Sequence, residues 1–268
     1  MNRIQQIFKK AREENRAAFI PFITAGDPSL QRTSEVIDAL EKAGADIIEL
    51  GVPFSDPIAD GPTNQKAAER ALASGTTLKG VLDLVTNVRT RSDIPIVLFT
   101  YANPVLQFGL EAFGSAAAAS GIDGILFTDV PTEELPRFSP ALAAAEIDPI
   151  LLVTPTSDKA RIKAASKAGS GFIYLVSRTG VTGAQRRLDP ELEPLIAHVR
   201  KVSKLPVAVG FGISDSEQVR QVARWADGVV VGSAIVNQVA SLGDSDKLAP
   251  AIEDFVRPMV EACNTQGS

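Results

Sequence analysis

Eight short apolar runs of strand length alternate with helical patterns along this chain, and that alternation restricts the fold more than any other feature. The runs cover residues 19–23, 46–50, 94–99, 122–128, 149–153, 172–176, 207–209 and 228–231. Between them, apolar residues recur at helical spacing, as in Val36, Ile37 and Leu40, or Leu78, Val81, Leu82 and Val85. Strand and helix in strict alternation make a parallel sheet with helices packed on it. Eight such units, at spacings of roughly 20 to 35 residues with one longer gap after Asp60, point to a closed (β/α)8 TIM barrel. No linker, low-complexity tract or self-similar repeat interrupts them, so residues 1–268 are expected to form one barrel domain. An open, doubly wound dinucleotide fold is the alternative, but ITAGDPS follows the first strand where a GxGxxG turn belongs.

Elements at either end extend the barrel. Ile4, Ile7, Phe8 and Ala11 predict an extra amphipathic helix that covers one end of the core. A short extra helix is expected over 234–239, after strand eight, and a final one buries Leu248, Ile252, Phe255, Val256 and Met259. Gly44 closes the helix before the second strand. Asp27 reads as a helix cap, as do Thr132 ahead of Leu135, Phe138 and Leu142, and a residue near Ser157; Ser214 and Glu217 read as a capping pair.

Composition excludes several functions. The 268 residues are 45% hydrophobic and carry a net charge of −5, which favours neither nucleic acid nor anionic membrane as a partner. With one cysteine, Cys263, and one histidine, His198, an internal disulfide is impossible and the usual His/Cys metal sites cannot be built, so no metal is expected. No stretch approaches the roughly 20 apolar residues of a membrane span, and the N-terminus has no apolar signal core, so the expected compartment is the cytoplasm. His198 lies inside a helical pattern with no partner His or Cys and reads as a surface or packed residue; Cys263, on the apolar stripe with Met259, reads as core, and Trp225, ahead of a strand, as packing a helix.

Two isolated carboxylates stand out. Glu49 ends the apolar run DIIEL, and Asp60 follows in the proline-rich loop GVPFSDPIADGP. A carboxyl buried without a partner has its pKa raised by desolvation, which suits a group that gives and takes a proton near neutrality. A structural ion pair or a hydrogen-bonded strand-end Glu is the competing explanation. Tyr101, Asp129 and Tyr174 also fall at or near C-terminal strand ends, the catalytic face of such barrels. Gly210, Phe211 and Gly212 end strand seven, and Gly232 and Ser233 end strand eight. Loops after those two strands are a recurrent phosphate site, because backbone N–H groups and a helix N-terminus face the anion; tight strand-to-helix corners would explain the same glycines. The polar run 177–187, with Gly180 and Gly183 flanking Val181 and Thr182, reads either as a lid or as a plain surface loop.

These motifs together resemble the alpha subunit of tryptophan synthase, over essentially the whole chain. The resemblance rests on FIPFITAGDPS, ELGVPFSDPIADGP, YANP, DVP, YLVSRTGVTG, GFGIS and VVGSAIV, with departures at Asn64, where the family usually has an aliphatic residue, and at Phe108, where tyrosine is frequent. It implies a lyase that splits indole-3-glycerol phosphate into indole and glyceraldehyde 3-phosphate. Glu49 would be acid and base, Asp60 the acceptor of the indole N–H, and Tyr174 an orienting group. Phe22 would line the indole site with Tyr101 and Asp129 nearby. Gly183, Phe211, Gly212, Gly232 and Ser233 would hold the phosphate, and Thr182 would close onto Asp60. It implies no cofactor on this chain, and a beta-subunit partner that carries pyridoxal phosphate, in an alpha2beta2 tetramer. Another phosphosugar barrel enzyme and a catalytically idle phosphate-binding regulatory subunit are the rival readings; metal-dependent epimerases need histidine ligands that one histidine cannot supply.

Overall fold

In the computed structural model, which describes residues 1–177, 188–210 and 212–264, the first element is helix α1 (Arg3–Glu13), capped by the Asn2 side chain on the Gln5 N–H. Strand β1 (Ala18–Thr24) leads to α2 (Leu30–Ala43), and β2 (Ile48–Gly51) to α3 (Pro62–Ala73) and α4 (Leu78–Val88). Next come β3 (Ile96–Thr100), α5 (Ala102–Phe108) and α6 (Leu110–Ser120), then β4 (Gly124–Phe127) and α7 (Ser139–Ala144), then β5 (Asp148–Val153) and α8 (Lys159–Ala168). The remaining elements are β6 (Ile173–Val176), α9 (Leu192–Val202), β7 (Val207–Gly210), α10 (Ser216–Ala223), β8 (Gly228–Val231), α11 (Ser233–Leu242) and α12 (Leu248–Ala262). All strands pair in parallel and in sequence order, and β8 closes on β1, making the expected (β/α)8 barrel.

Side-chain alternation divides the core in two. Ile48, Leu50, Ile96, Leu98, Ile125, Val207, Val209 and Val229 point outward and pack against the helices. Ile20, Phe22, Val97, Leu126, Ile150, Phe172, Tyr174, Ala208 and Val230 fill the barrel interior. Ile4 and Phe8 of α1 join the interior set, with Phe8 packed on Phe172 at 5.5 Å between ring centroids, so α1 plugs the N-terminal mouth.

Below the barrel, acidic residues just ahead of strands pin the neighbouring strands. Asp46 accepts the Phe19 N–H at 2.8 Å and is gripped by both Arg16 Nη atoms at 2.7 and 2.8 Å. Asp123 accepts from Ile96 and pairs with Arg89 at 2.7 Å; Asp227 accepts from Val207 and pairs with Arg200 at 2.6 Å. These three carboxylates are therefore structural, each satisfied by a backbone N–H and a guanidinium.

Several local expectations change. Asp27 is not a cap: Ser29 caps α2 by accepting from Arg32, while buried Asp27 binds Arg70 through both oxygens at 2.8 and 2.7 Å. Asp158 caps α8, near Ser157 as expected; Asp215, and not Ser214, caps α10 by accepting the Gln218 N–H, while Gln218 Oε1, and not Glu217, accepts the Ser214 N–H. The helix expected behind Thr132 is a 3₁₀ turn, Leu135–Arg137, followed by the short α7. Pro136 and Pro140 lack the N–H a continuous helix needs and so sit in the first turn of separate ones. Leu135, Phe138 and Leu142 are buried as expected. His198 is exposed, and Cys263 is buried in the outer core.

Candidate active site

At the C-terminal mouth the carboxylates meet different surroundings. Glu49 stands in register with Phe22 of β1 and Val97 of β3. Its outward neighbours Ile48 and Leu50 face the helices, so strand alternation sends Glu49 into the barrel. The residue is fully buried, and among the described residues neither carboxylate oxygen has a hydrogen-bond partner. Burial raises its pKa from the ordinary 4.5 to about 8. The ion pair that would have made Glu49 structural is absent among those residues, in contrast with Asp46, Asp123 and Asp227 below.

Asp60 reaches the same mouth from the loop between β2 and α3. Tyr101 donates its hydroxyl to Asp60 Oδ2 at 3.0 Å and accepts the Ala59 N–H at 3.0 Å, so one phenol holds both the loop backbone and the carboxylate. Burial raises the Asp60 pKa, and hydrogen bonds from Tyr101 and Asn64 oppose that rise. Gln65 Nε2 ties the Asp60 carbonyl at 2.9 Å. Around Asp60, the pocket walls are Phe22, Gly51, Phe54, Asn64, Phe99 and Tyr101. Phe22 meets Phe99 edge-on at 5.1 Å, and Phe54 lies 5.1 Å from the Tyr101 ring. Gly51 is required by that crowding, since a Cβ there would come within 2.7 Å of the Phe22 ring.

Tyr174 projects inward from β6, beside the end of β7: a Cβ on Gly210 would lie 2.1 Å from its hydroxyl oxygen. Its pKa is raised well above the usual value by burial, with the charges of Glu49 and Asp60 adding to the effect. Asp129 is exposed, and its Oδ1 accepts the Ala102 N–H at 2.8 Å, which braces the corner carrying Tyr101. After β7 and β8, Gly212 has φ +84° and Gly232 precedes α11, whose first turn receives no side-chain cap. Ser233 is exposed at that helix start. Thr182, Gly183 and Phe211 lie outside the described residues. Among those described, no group of three or more His, Cys, Asp or Glu is arranged to hold a metal ion, and no helix is long and apolar enough to cross a membrane.

The family model for the tryptophan synthase alpha chain matches residues 8–264. The chain belongs to the tryptophan synthase alpha chain family. It is 51% identical over 262 residues to the tryptophan synthase alpha chain of Geobacter sulfurreducens, covering 98% of this chain and 99% of that one. It is 47% identical over 259 residues to that of Solibacter usitatus, covering 97% of each. The crystal structure of tryptophan synthase subunit alpha from Legionella pneumophila superposes with a TM-score of 0.90 at 34% identity, covering 98% of both chains. For a tryptophan synthase alpha chain, Asn64, Phe54 and Phe99 are the pocket residues that motif reading did not assign to the site. Their signal was available only as adjacency to Asp60 and Tyr101 in sequence or as an inward strand position.

Proposed function

We propose that this chain cleaves indole-3-glycerol phosphate to indole and glyceraldehyde 3-phosphate by a retro-aldol reaction, with Glu49 as acid and base. The observation that carries the reading is a wholly buried carboxyl at the catalytic end of β2 with neither oxygen partnered among the described residues. A pKa of about 8 keeps Glu49 protonated at neutral pH, ready to donate to C3 of the indole ring. Protonation at C3 places positive charge on the ring, and Asp60, ionised, accepts the indole N–H and stabilises it. The Glu49 carboxylate then removes the proton of the hydroxyl on the carbon attached to C3. That carbon becomes the aldehyde, the C–C bond electrons restore the aromatic ring, and Glu49 ends protonated as it began.

Other residues bind and orient. Phe22, with Phe54 and Phe99, supplies an apolar aromatic wall for the indole; Tyr101 fixes Asp60; Tyr174 orients Glu49 or the hydroxyl. Gly212, Gly232 and Ser233 receive the phosphate at the uncapped start of α11. Family membership implies a beta-subunit partner, and we extend this to an alpha2beta2 tetramer in which the Asp60 loop faces the partner. The 86% exposure of Ile58 in that loop supports such a contact. The test is incubation of the purified chain with indole-3-glycerol phosphate, alone and with a beta subunit. Indole should appear in both, and its absence from both refutes the function.

A further inference from the structure

Asn64 occupies the first turn of α3, directly after the loop that carries Asp60. It lines the same pocket as Phe22, Phe99, Asp60 and Tyr101. Its Oδ1 is sealed from solvent without a hydrogen-bond partner among the described residues. A buried orphan acceptor costs stability, and an aliphatic side chain of similar size would avoid the cost. The fold therefore gains nothing from this oxygen. The rest of the side chain has a purpose: Asn64 stands beside Asp60 on the wall of this pocket and favours its ionised form, as the Tyr101 hydroxyl does from 3.0 Å.

We infer that Asn64 is a positioning residue for the lyase reaction, its amide and the Tyr101 hydroxyl clamping the Asp60 carboxylate toward the pocket from two sides. This rests on the reading of Asp60 as acceptor of the indole N–H. The titratable groups that face Asp60 are Tyr101 from the corner after β3 and Tyr174 from β6, with Glu49 on β2 sharing the interior next to Tyr174. Among the described residues no cation pairs with Asp60, so neutral donors alone offset its desolvation. Losing one of two donors raises the carboxyl's pKa and leaves less of it ionised on the acid side.

Asn64→Leu keeps the bulk and removes both polar ends. It should melt no earlier than the parent chain, while kcat/KM on the acid limb falls about tenfold, the size of one hydrogen bond to a charged group. The limb should move to higher pH, and Asn64→Gln should restore part of the loss. In an Asp60→Asn background, Asn64→Leu should cost nothing further. If Asn64→Leu melts too early to assay, the smaller Asn64→Ser takes its place. Infrared titration of the Asp60 carboxylate, read as the difference from Asp60→Asn, follows the group whether or not it is catalytic. An unmoved titration and acid limb in Asn64→Leu, or an equal loss in the Asp60→Asn background, overturns the proposal. Asp60→Asn turning over at the normal rate overturns the reading of Asp60, and this proposal with it; a normal Asn64→Leu beside a crippled Asp60→Asn overturns this proposal alone.

Discussion

Replacing Glu49 by Gln separates catalytic from structural burial, because the two roles predict opposite changes in stability. The Glu49 carboxyl has a pKa of about 8 in the folded chain against an ordinary 4.5. Between those values the folded state holds a proton that the unfolded state releases, so stability from this group falls as pH rises from 4.5 and levels off above 8. At pH 7 the loss amounts to roughly 3 kcal/mol. A glutamine does not titrate. Its amide is as buried as the protonated carboxyl, so the difference between the chains should be read as a slope: from pH 5 to pH 8, the Glu49→Gln chain should lose less of its melting temperature, by several degrees. Turnover should fall by at least the roughly 10² to 10⁴ of a missing general acid–base, with substrate binding retained. Thermal melting across that pH range and single-turnover kinetics on the same preparation supply both numbers. A variant that is a few kcal/mol less stable at every pH, yet cleaves substrate at near the normal rate, would show that Glu49 is a structural carboxylate and not the catalyst.

Asp60→Asn keeps the pocket's shape but loses the charge opposite the protonated ring, and should cut kcat by roughly 10² to 10³ in steady-state assays; a loss confined to KM would refute that role. Since the reaction starts from ionised Asp60 and protonated Glu49, kcat/KM should be bell-shaped, with its alkaline limb near pH 8 set by Glu49 and abolished in Glu49→Gln. For the phosphate site, Gly232→Ala is the cleaner probe, because Gly212 at φ +84° would strain under any side chain, whereas a Cβ at Gly232 makes only ordinary contact with Phe22 at 3.4 Å. It should raise KM about tenfold with little change in melting, and an unchanged KM removes the phosphate from the start of α11. Co-purification with a beta subunit should fail for Ile58→Asp if the Asp60 loop is the docking face; undiminished association would place the partner elsewhere.

What the sequence determined by itself is whatever depends on neighbours in the chain. Apolar runs bounded by turn residues, and stripes at helical spacing, follow from backbone geometry and local burial, so the order of eight strands and the closed barrel were legible without coordinates. The same holds for Glu49, whose inward direction follows from strand alternation once Ile48 and Leu50 are assigned to the helices. Tertiary structure decided which polar groups find partners. Asp27 looks like a cap until Arg70, 43 residues away, closes on it. Asp46 and Glu49 stand in one apolar run, and only the three-dimensional fold gives the first an arginine and leaves the second without a partner among the described residues. Tyr101 joins Ala59 to Asp60 across a loop, and Asn64 meets Asp60 inside a pocket built from three strands. A carboxylate's pKa is set by the balance of desolvation against hydrogen bonds and charges, and those come from segments that chain order does not bring together.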